Sequence, residues 1–362
     1  MATGARERAP AAASSEGPAR SGAIGDDLSG GLEREGEELG ARNDLRDRRN
    51  EVAQAALDPR GRRRVDSFAS GFRLREVRVD GHLHVFLSQR EDPGREVSEL
   101  APAERQAPVE LLLETMAAYG IDGAVLVPLG PERAYVARCL ERFPGRFVGV
   151  CVADASLHAE PERELRERAA AGFLGVRMGR LGEPGRPLRE SPVYPTLAAM
   201  AAEGLVLWHY MPPEQLPLLR EALELLPTLT VCLNHLGFCP ERMDVDEHGR
   251  PQLRTPLPPA TLPAVLELAG FPRVHVMLSG LYGWSEEPFP YRDLTGVVQT
   301  LYESYGAERL FWASDFPWIL EEPGYGALLE LPDIHLPNLT DAERADIFGG
   351  TVGRIFPRAF SG

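Results

Sequence analysis

The chain has 362 residues, 43% hydrophobic and 26% charged, and 54 Asp and Glu against 39 Lys and Arg give a formal net charge of −15. Such an acidic chain is a poor electrostatic partner for nucleic acid or an anionic membrane, and no apolar run approaches the roughly 18 residues that cross a bilayer. Every basic residue is arginine; the absence of lysine excludes a Schiff base, a pyridoxal anchor, a P-loop lysine and a carbamylated lysine bridging two metals.

Residues 1–50 contain no aromatic side chain and few large aliphatics. They cannot bury enough apolar surface to offset their ordering entropy, so a disordered N-terminal extension is expected. It is taken to run as a tail and linker over 1–70, with a short helix near 43–57 and a basic knot at Arg62, Arg63 and Arg64. No apolar leader stands behind the first charges, so no secretory signal is expected. Cys139, Cys151, Cys232 and Cys239 form no C-x-x-C pair, which fits a reducing cytoplasm.

From Phe72 the texture changes, and residues 71–362 are read as one domain. Short runs rich in Val, Leu and Ile occur at 77–87, 122–129, 146–153, 172–179, 205–210, 229–236, 274–280 and 309–316. Helical patterns fall between them, near 107–119, 131–142, 160–171, 193–203, 213–226, 260–269 and 291–305, with Pro131 and Pro213 in first turns. A last helix near 340–356 opens on Thr340 and Glu343, the spacing of a capping box. Eight strand–helix units predict an α/β fold, a (β/α)8 TIM barrel; an open doubly wound sheet is disfavoured by the count and by the lack of a Gly-rich first turn.

In such a barrel the reacting groups stand at the C-terminal ends of strands. The first run carries Asp80, His82 and His84; two histidines two residues apart share a strand face and suit either one cation or a hydrogen-bonded core pair. The fifth run ends in Trp208-His209-Tyr210, the sixth in Asn234-His235-Leu236-Gly237, the eighth in Ser314-Asp315-Phe316-Pro317. Four of the eight histidines and a carboxylate therefore meet at one rim, a mixed set that suits Zn(II), with Mn(II) or Fe(II) as other candidates. His275 begins the seventh strand, at the wrong end, and His158, His248 and His335 are read as loop residues. Phe173, Gly175 and Arg177 share one face of the fourth strand, so Arg177 either anchors a substrate carboxylate or pairs with an acidic neighbour. Tyr282, Trp284, Arg292 and Trp318 either wall the substrate site or pack loops together. The polar loop 238–259 is long enough for a lid or an oligomer contact.

The stretch from about 77 to 357 resembles the amidohydrolase-related family, the Amidohydrolase 2 group of metal-dependent barrel enzymes. The resemblance is carried by Val79-Asp80-Gly81-His82-Leu83-His84, Gly172-Phe173-Leu174-Gly175-Val176-Arg177, Asn234-His235-Leu236-Gly237 and Ala313-Ser314-Asp315-Phe316-Pro317-Trp318. Within that group, 216–237 and 276–284 are similar to the lactonase branch of fuconolactonase-like and pyrone-dicarboxylate-lactonase-like enzymes. The resemblance implies one divalent ion held by His82, His84, His209 and Asp315, with Asp315 also the general base and His235 polarising the substrate or shuttling a proton. Asn234 departs from the Asp that relatives often place before that histidine.

The expectation is a metal-dependent hydrolase that opens a lactone or related carboxylate-bearing small molecule with a metal-activated water. Arg177, Tyr282, Trp284 and Trp318 would bind the substrate. The rivals are a non-oxidative decarboxylase of the same family and a barrel that binds without turnover. Homo-oligomer formation is left open.

Overall fold

The computed structural model describes residues 77–360 apart from 239, 241 and 358, and omits the side chain of Arg254. The expected tail and linker over 1–70 lies outside the described residues, as does Cys239.

Eight parallel strands pair in the order in which they occur: β1 (Val79–Leu83), β2 (Gly123–Leu126), β3 (Phe147–Val152), β4 (Phe173–Met178), β5 (Val206–His209), β6 (Thr230–Leu233), β9 (Val274–Leu278) and β10 (Leu310–Trp312). Each falls inside one of the eight apolar runs. Strands β7 (Arg242–Val245) and β8 (Pro251–Arg254) form a separate antiparallel hairpin. The segment expected to be a polar loop thus folds on itself, with Asp246 at its tip accepting from the backbone N–H groups of His248 and Arg250. The circle closes beyond β10, where Asp315 N donates to His82 O at 3.0 Å and His84 N to Phe316 O at 2.7 Å.

The helices lie close to their predicted spans, with differences of detail: short helices at Leu281–Trp284, Tyr325–Leu328 and Leu331–His335 were not expected, and the last span is interrupted by a wider turn at Asp346–Gly350. The second begins at Ala134, so Pro131 precedes it rather than entering its first turn. An extra short helix, Ala155–Ala159, is capped by Asp154. Thr340 and Glu343 do form the reciprocal capping box.

Two layers of core follow from the pleat. Alternate strand residues Val79, Val125, Val148, Val150, Val206, Trp208, Cys232, Met277 and Phe311 fill the barrel, as a closed barrel of eight strands requires. Val352 and Phe356, from the C-terminal helix Thr351–Ile355 and the residue after it, join that cluster. The other buried apolar strand residues pack outward against the helices.

Two register slips break the alternation. In β1 the pairing shifts between Asp80 and Leu83, so Gly81 and His82 both turn inward. A Cβ on Gly81 would lie 2.3 Å from the Phe311 ring, which leaves only glycine there. In β4, Gly149 faces Phe173 but Val150 faces Gly175, two residues against one. Phe173 therefore joins the outer core, while Gly175 and Arg177 turn inward. The shared face expected for all three is corrected by this bulge.

Candidate active site

The β1 slip and the closing segment after β10 bring four groups together. His82 Nε2 and His84 Nε2 each lie 3.6 Å from Asp315 Oδ1. The His82 ring meets His84 edge-on at 4.9 Å and His235 edge-on at 5.4 Å. All four residues are buried.

Asp315 is held from several sides. Its backbone sits at φ 60, an uncommon conformation for a residue with a Cβ. The preceding Ser314 N donates to Asp80 Oδ1 at 2.9 Å, and Tyr325 donates its hydroxyl to Asp80 Oδ2 at 2.8 Å. Burial raises the Asp80 carboxyl to about 6 in spite of these bonds. Tyr282 donates its hydroxyl to Asp315 Oδ2 at 2.6 Å. Burial alone would raise the Asp315 carboxyl, but the imidazoles of His235, His84 and His82 hold it well below the usual carboxylate range. Asp315 is thus an anion at neutral pH, with Oδ1 buried and free of any hydrogen-bond partner.

His235 lies on a tight left-handed turn: His235, Leu236 and Gly237 have φ 45, 63 and 74. Its Nδ1 is 2.9 Å from Ser279 Oγ. Gly280, at φ 69, packs so closely that a Cβ there would come within 2.7 Å of His235 Nδ1. Burial lowers the His235 imidazole to about 4, so it is neutral at pH 7.

Arg177 faces the same space. Among the described residues its guanidinium makes no ion pair; it lies over the Tyr210 ring, 4.4 Å from the centroid. It is surrounded by protein yet keeps accessible surface, as a group lining a mouth does. An unpaired guanidinium in such a place is the arrangement that binds a carboxylate or an oxyanion.

His209 stands elsewhere. Val206 and Trp208 point into the barrel, so the pleat turns His209 to the other face with Leu207. Its Nε2 is buried without a partner, and it takes no part in the cluster of His82, His235 and Asp315. Trp318 borders that cluster, 5.8 Å from the His84 ring, with the Arg105 guanidinium 4.8 Å from its own ring centre. Trp284 ends the short helix Leu281–Trp284 and packs on Phe238 at 5.1 Å; Arg292 is exposed. His335 is not a loop residue: it ends the helix Leu331–His335, buried, with Nδ1 2.9 Å from Thr295 Oγ1. His158 lies in the short helix after β3, against Thr196.

The residues fit a divalent cation. His82, His235 and Asp315 each bring one ligand atom within 4.8 Å of the others, and the unpartnered His82 Nε2 and Asp315 Oδ1 are the buried polar atoms that an ion would satisfy.

Sequence reasoning overlooked Trp208 and Tyr210 as parts of the site, although both flank His209. Strand alternation from Val206 was the available signal for Trp208. Ser279 acts through His235, 44 residues away, and Asp80 through the distant Ser314 and Tyr325 as well as the nearby His82 backbone.

An eight-stranded barrel with imidazoles and an ionised carboxylate at the C-terminal ends of its strands has the architecture of the barrels that hold a metal at that rim. Residues 79–358 match the Amidohydrolase family, and the chain belongs to it. A curated relative, the L-fucono-1,5-lactonase of Burkholderia ambifaria, is 32% identical over 126 residues; the match spans 34% of this chain and 38% of that protein. A solved Pseudomonas putida protein, a candidate 2-pyrone-4,6-dicarboxylic acid hydrolase, is 25% identical over 79% of this chain and 99% of its own, with a TM-score of 0.62. A Burkholderia multivorans amidohydrolase solved with bound zinc is 22% identical over 78% of this chain and 99% of its own, with a TM-score of 0.59, and shares the fold.

Proposed function

We propose that the chain is a hydrolase that opens the ring of a lactone or related small molecule bearing a carboxylate. The observation that carries this reading is Asp315 Oδ1: an ionised, buried oxygen without a partner, facing two imidazoles. Such an oxygen accepts the proton of an attacking water. His235, neutral and oriented by Ser279, stabilises the developing oxyanion or delivers a proton to the leaving oxygen. Arg177 receives the substrate carboxylate. Tyr282 fixes the rotamer of the base and stays protonated, since burial and the Asp315 charge push its phenol well up.

A divalent cation, for which Zn(II) is the best match to this donor set, would be held by His82, His235 and Asp315 beside His84. When bound it would supply a Lewis acid for the carbonyl and acidify water. The residues above keep their roles of orienting, binding and accepting protons. The reading places a small-molecule enzyme in the cytoplasm; no helix among the described residues is long and apolar enough to cross a membrane.

The test offers purified protein a panel of sugar 1,5-lactones and pyrone carboxylates, followed by acid release, beside aromatic and enoic acids, followed by CO2 release. Acid release from a lactone supports the proposal. CO2 release with no lactone opened favours the decarboxylase, and neither reaction favours a binding barrel.

A further inference from the structure

The end of the barrel opposite the active site holds a cavity of about 720 Å³. It lies where β6 and β9 begin, so its walls come from the N-terminal ends of strands and from the C-terminal helix Thr351–Ile355. The volume falls within the roughly 300–1,000 Å³ of small-molecule sites. Its charged side chains are three arginines, Arg273, Arg309 and Arg354, against one carboxylate, Glu308. That balance runs against a chain whose net charge is −15.

Arg309 is anchored by neutral acceptors. Its Nε donates to Tyr305 O at 2.8 Å, Nη1 to Ala269 O at 2.7 Å and Nη2 to Ser304 O at 3.2 Å. These bonds fix the guanidinium and leave its charge uncompensated. Arg273 is exposed and makes one long contact, Nη1 to Thr230 Oγ1 at 3.4 Å. Neither arginine makes an ion pair among the described residues. Arg354 differs, since its Nη1 pairs with Asp346 Oδ1 at 2.6 Å. His275 faces the same space from β9: Val274 and Val276 pack outward, so the pleat turns His275 inward. Its Nδ1 is buried without a hydrogen-bond partner. After burial, the charges that lower its imidazole are those of Arg309, Arg354 and Arg273, so all three cations bear on one point.

We propose that this cavity binds a small organic anion carrying two or more negative charges on phosphate or carboxylate groups, at a site separate from the substrate mouth. Two guanidinium groups without acidic partners, beside a buried nitrogen without a partner, make a site that lacks an acceptor. Arg273 is free to lay its planar fork on the oxyanion. Arg309, held in place by carbonyls, supplies a fixed positive charge, and His275 Nδ1 gains the partner it lacks. No residue of the opposite rim takes part, so the proposal stands whether or not the chain opens lactones.

The test titrates the full chain with pyrophosphate and with citrate, by calorimetry at low salt. At least one of the two is expected to bind, and which one does separates a phosphate site from a carboxylate site. Arg273→Gln is expected to weaken that binding about 10-fold or more, the scale of one hydrogen bond to a charged group. Arg177→Met, at the other end of the barrel, is expected to bind the anion as wild type does. The His275 ring signals in NMR spectra, assigned by comparison with His275→Asn, are expected to move as the anion is added. The proposal is overturned if neither anion binds, if a folded Arg273→Gln binds as tightly as wild type, or if Arg177→Met is the variant that loses the anion. If Arg273→Gln does not fold, the wild-type His275 signals decide: movement on binding supports the site, and signals that stay in place overturn it.

Discussion

Tyr282 donates to Asp315 Oδ2 across 2.6 Å, which leaves Oδ1 as the oxygen that faces His82 and His84. The phenol divides the carboxylate into a tethered oxygen and a working one. Tyr282→Phe removes the tether while keeping the ring. The expected result is a fall in kcat of about 10-fold or more, within the range of a positioned base losing its alignment. Steady-state kinetics at pH 7, run beside melting curves, check this.

Arg177 has no acidic partner among the described residues and lies over Tyr210. A hydrogen bond to a charged group contributes about 1.5–3 kcal/mol, so Arg177→Met should raise KM for a carboxylate-bearing substrate by roughly 10- to 100-fold. Arg177→Lys should recover little, since a point charge cannot reproduce the planar fork. KM and kcat on a charged substrate and its amide separate binding from chemistry.

Gly280 permits His235 to sit where it does. Gly280→Ala would place a Cβ 2.7 Å from His235 Nδ1 at a residue with φ 69. The substitution should move the imidazole off Ser279 and lower kcat strongly while the barrel still melts cooperatively. Circular dichroism melts run beside kinetics check this. Full activity in Gly280→Ala would show that the position of His235 does not matter.

His275 starts β9, far from the catalytic rim in the pleat. Burial, and then Arg309, Arg354 and Arg273, lower its imidazole to about 4. The unfolded chain takes up this proton near pH 6.5 and the folded one does not. Stability from this group is therefore complete above about pH 6.5 and declines as pH falls toward 4, with a slope approaching about 1.4 kcal/mol per pH unit. Asp80 acts in the opposite sense, since its carboxyl is raised to about 6; its contribution is present at low pH and lost as pH rises through that value. Denaturant melts of the wild type and His275→Asn at pH 7 and 5 should show a smaller acid loss in the variant.

Much of this architecture was legible because a buried parallel strand writes itself as a continuous apolar run. All eight barrel strands fall within such runs, and the rim motifs of His82, His84, His235 and Asp315 end up together. The failures of facing in β1 and β4 share one cause. Which face a residue takes depends on register, and register is set by the partner strand. The slip in β1 turns Gly81 and His82 to one side, and the bulge in β4 separates Phe173 from Arg177. Neither is written in its own strand. His209 is different: Val206 and Trp208 already fixed the alternation, so its outward face was readable from the sequence. The β7–β8 hairpin was hidden by composition, because Arg242 and Asp244 make its first strand look like a loop. Ser279 and Tyr325 became visible only when distant segments met.

The central claim is that Asp315 is the base for water attack. Its most direct test is the kcat of Asp315→Asn against wild type on whichever lactone the panel identifies, with the melting temperature of both recorded. The amide keeps the shape and the Tyr282 contact but cannot take a proton at neutral pH. A folded variant whose kcat falls by roughly 1,000-fold or more is the predicted result. A folded variant within a few-fold of wild type would contradict the account.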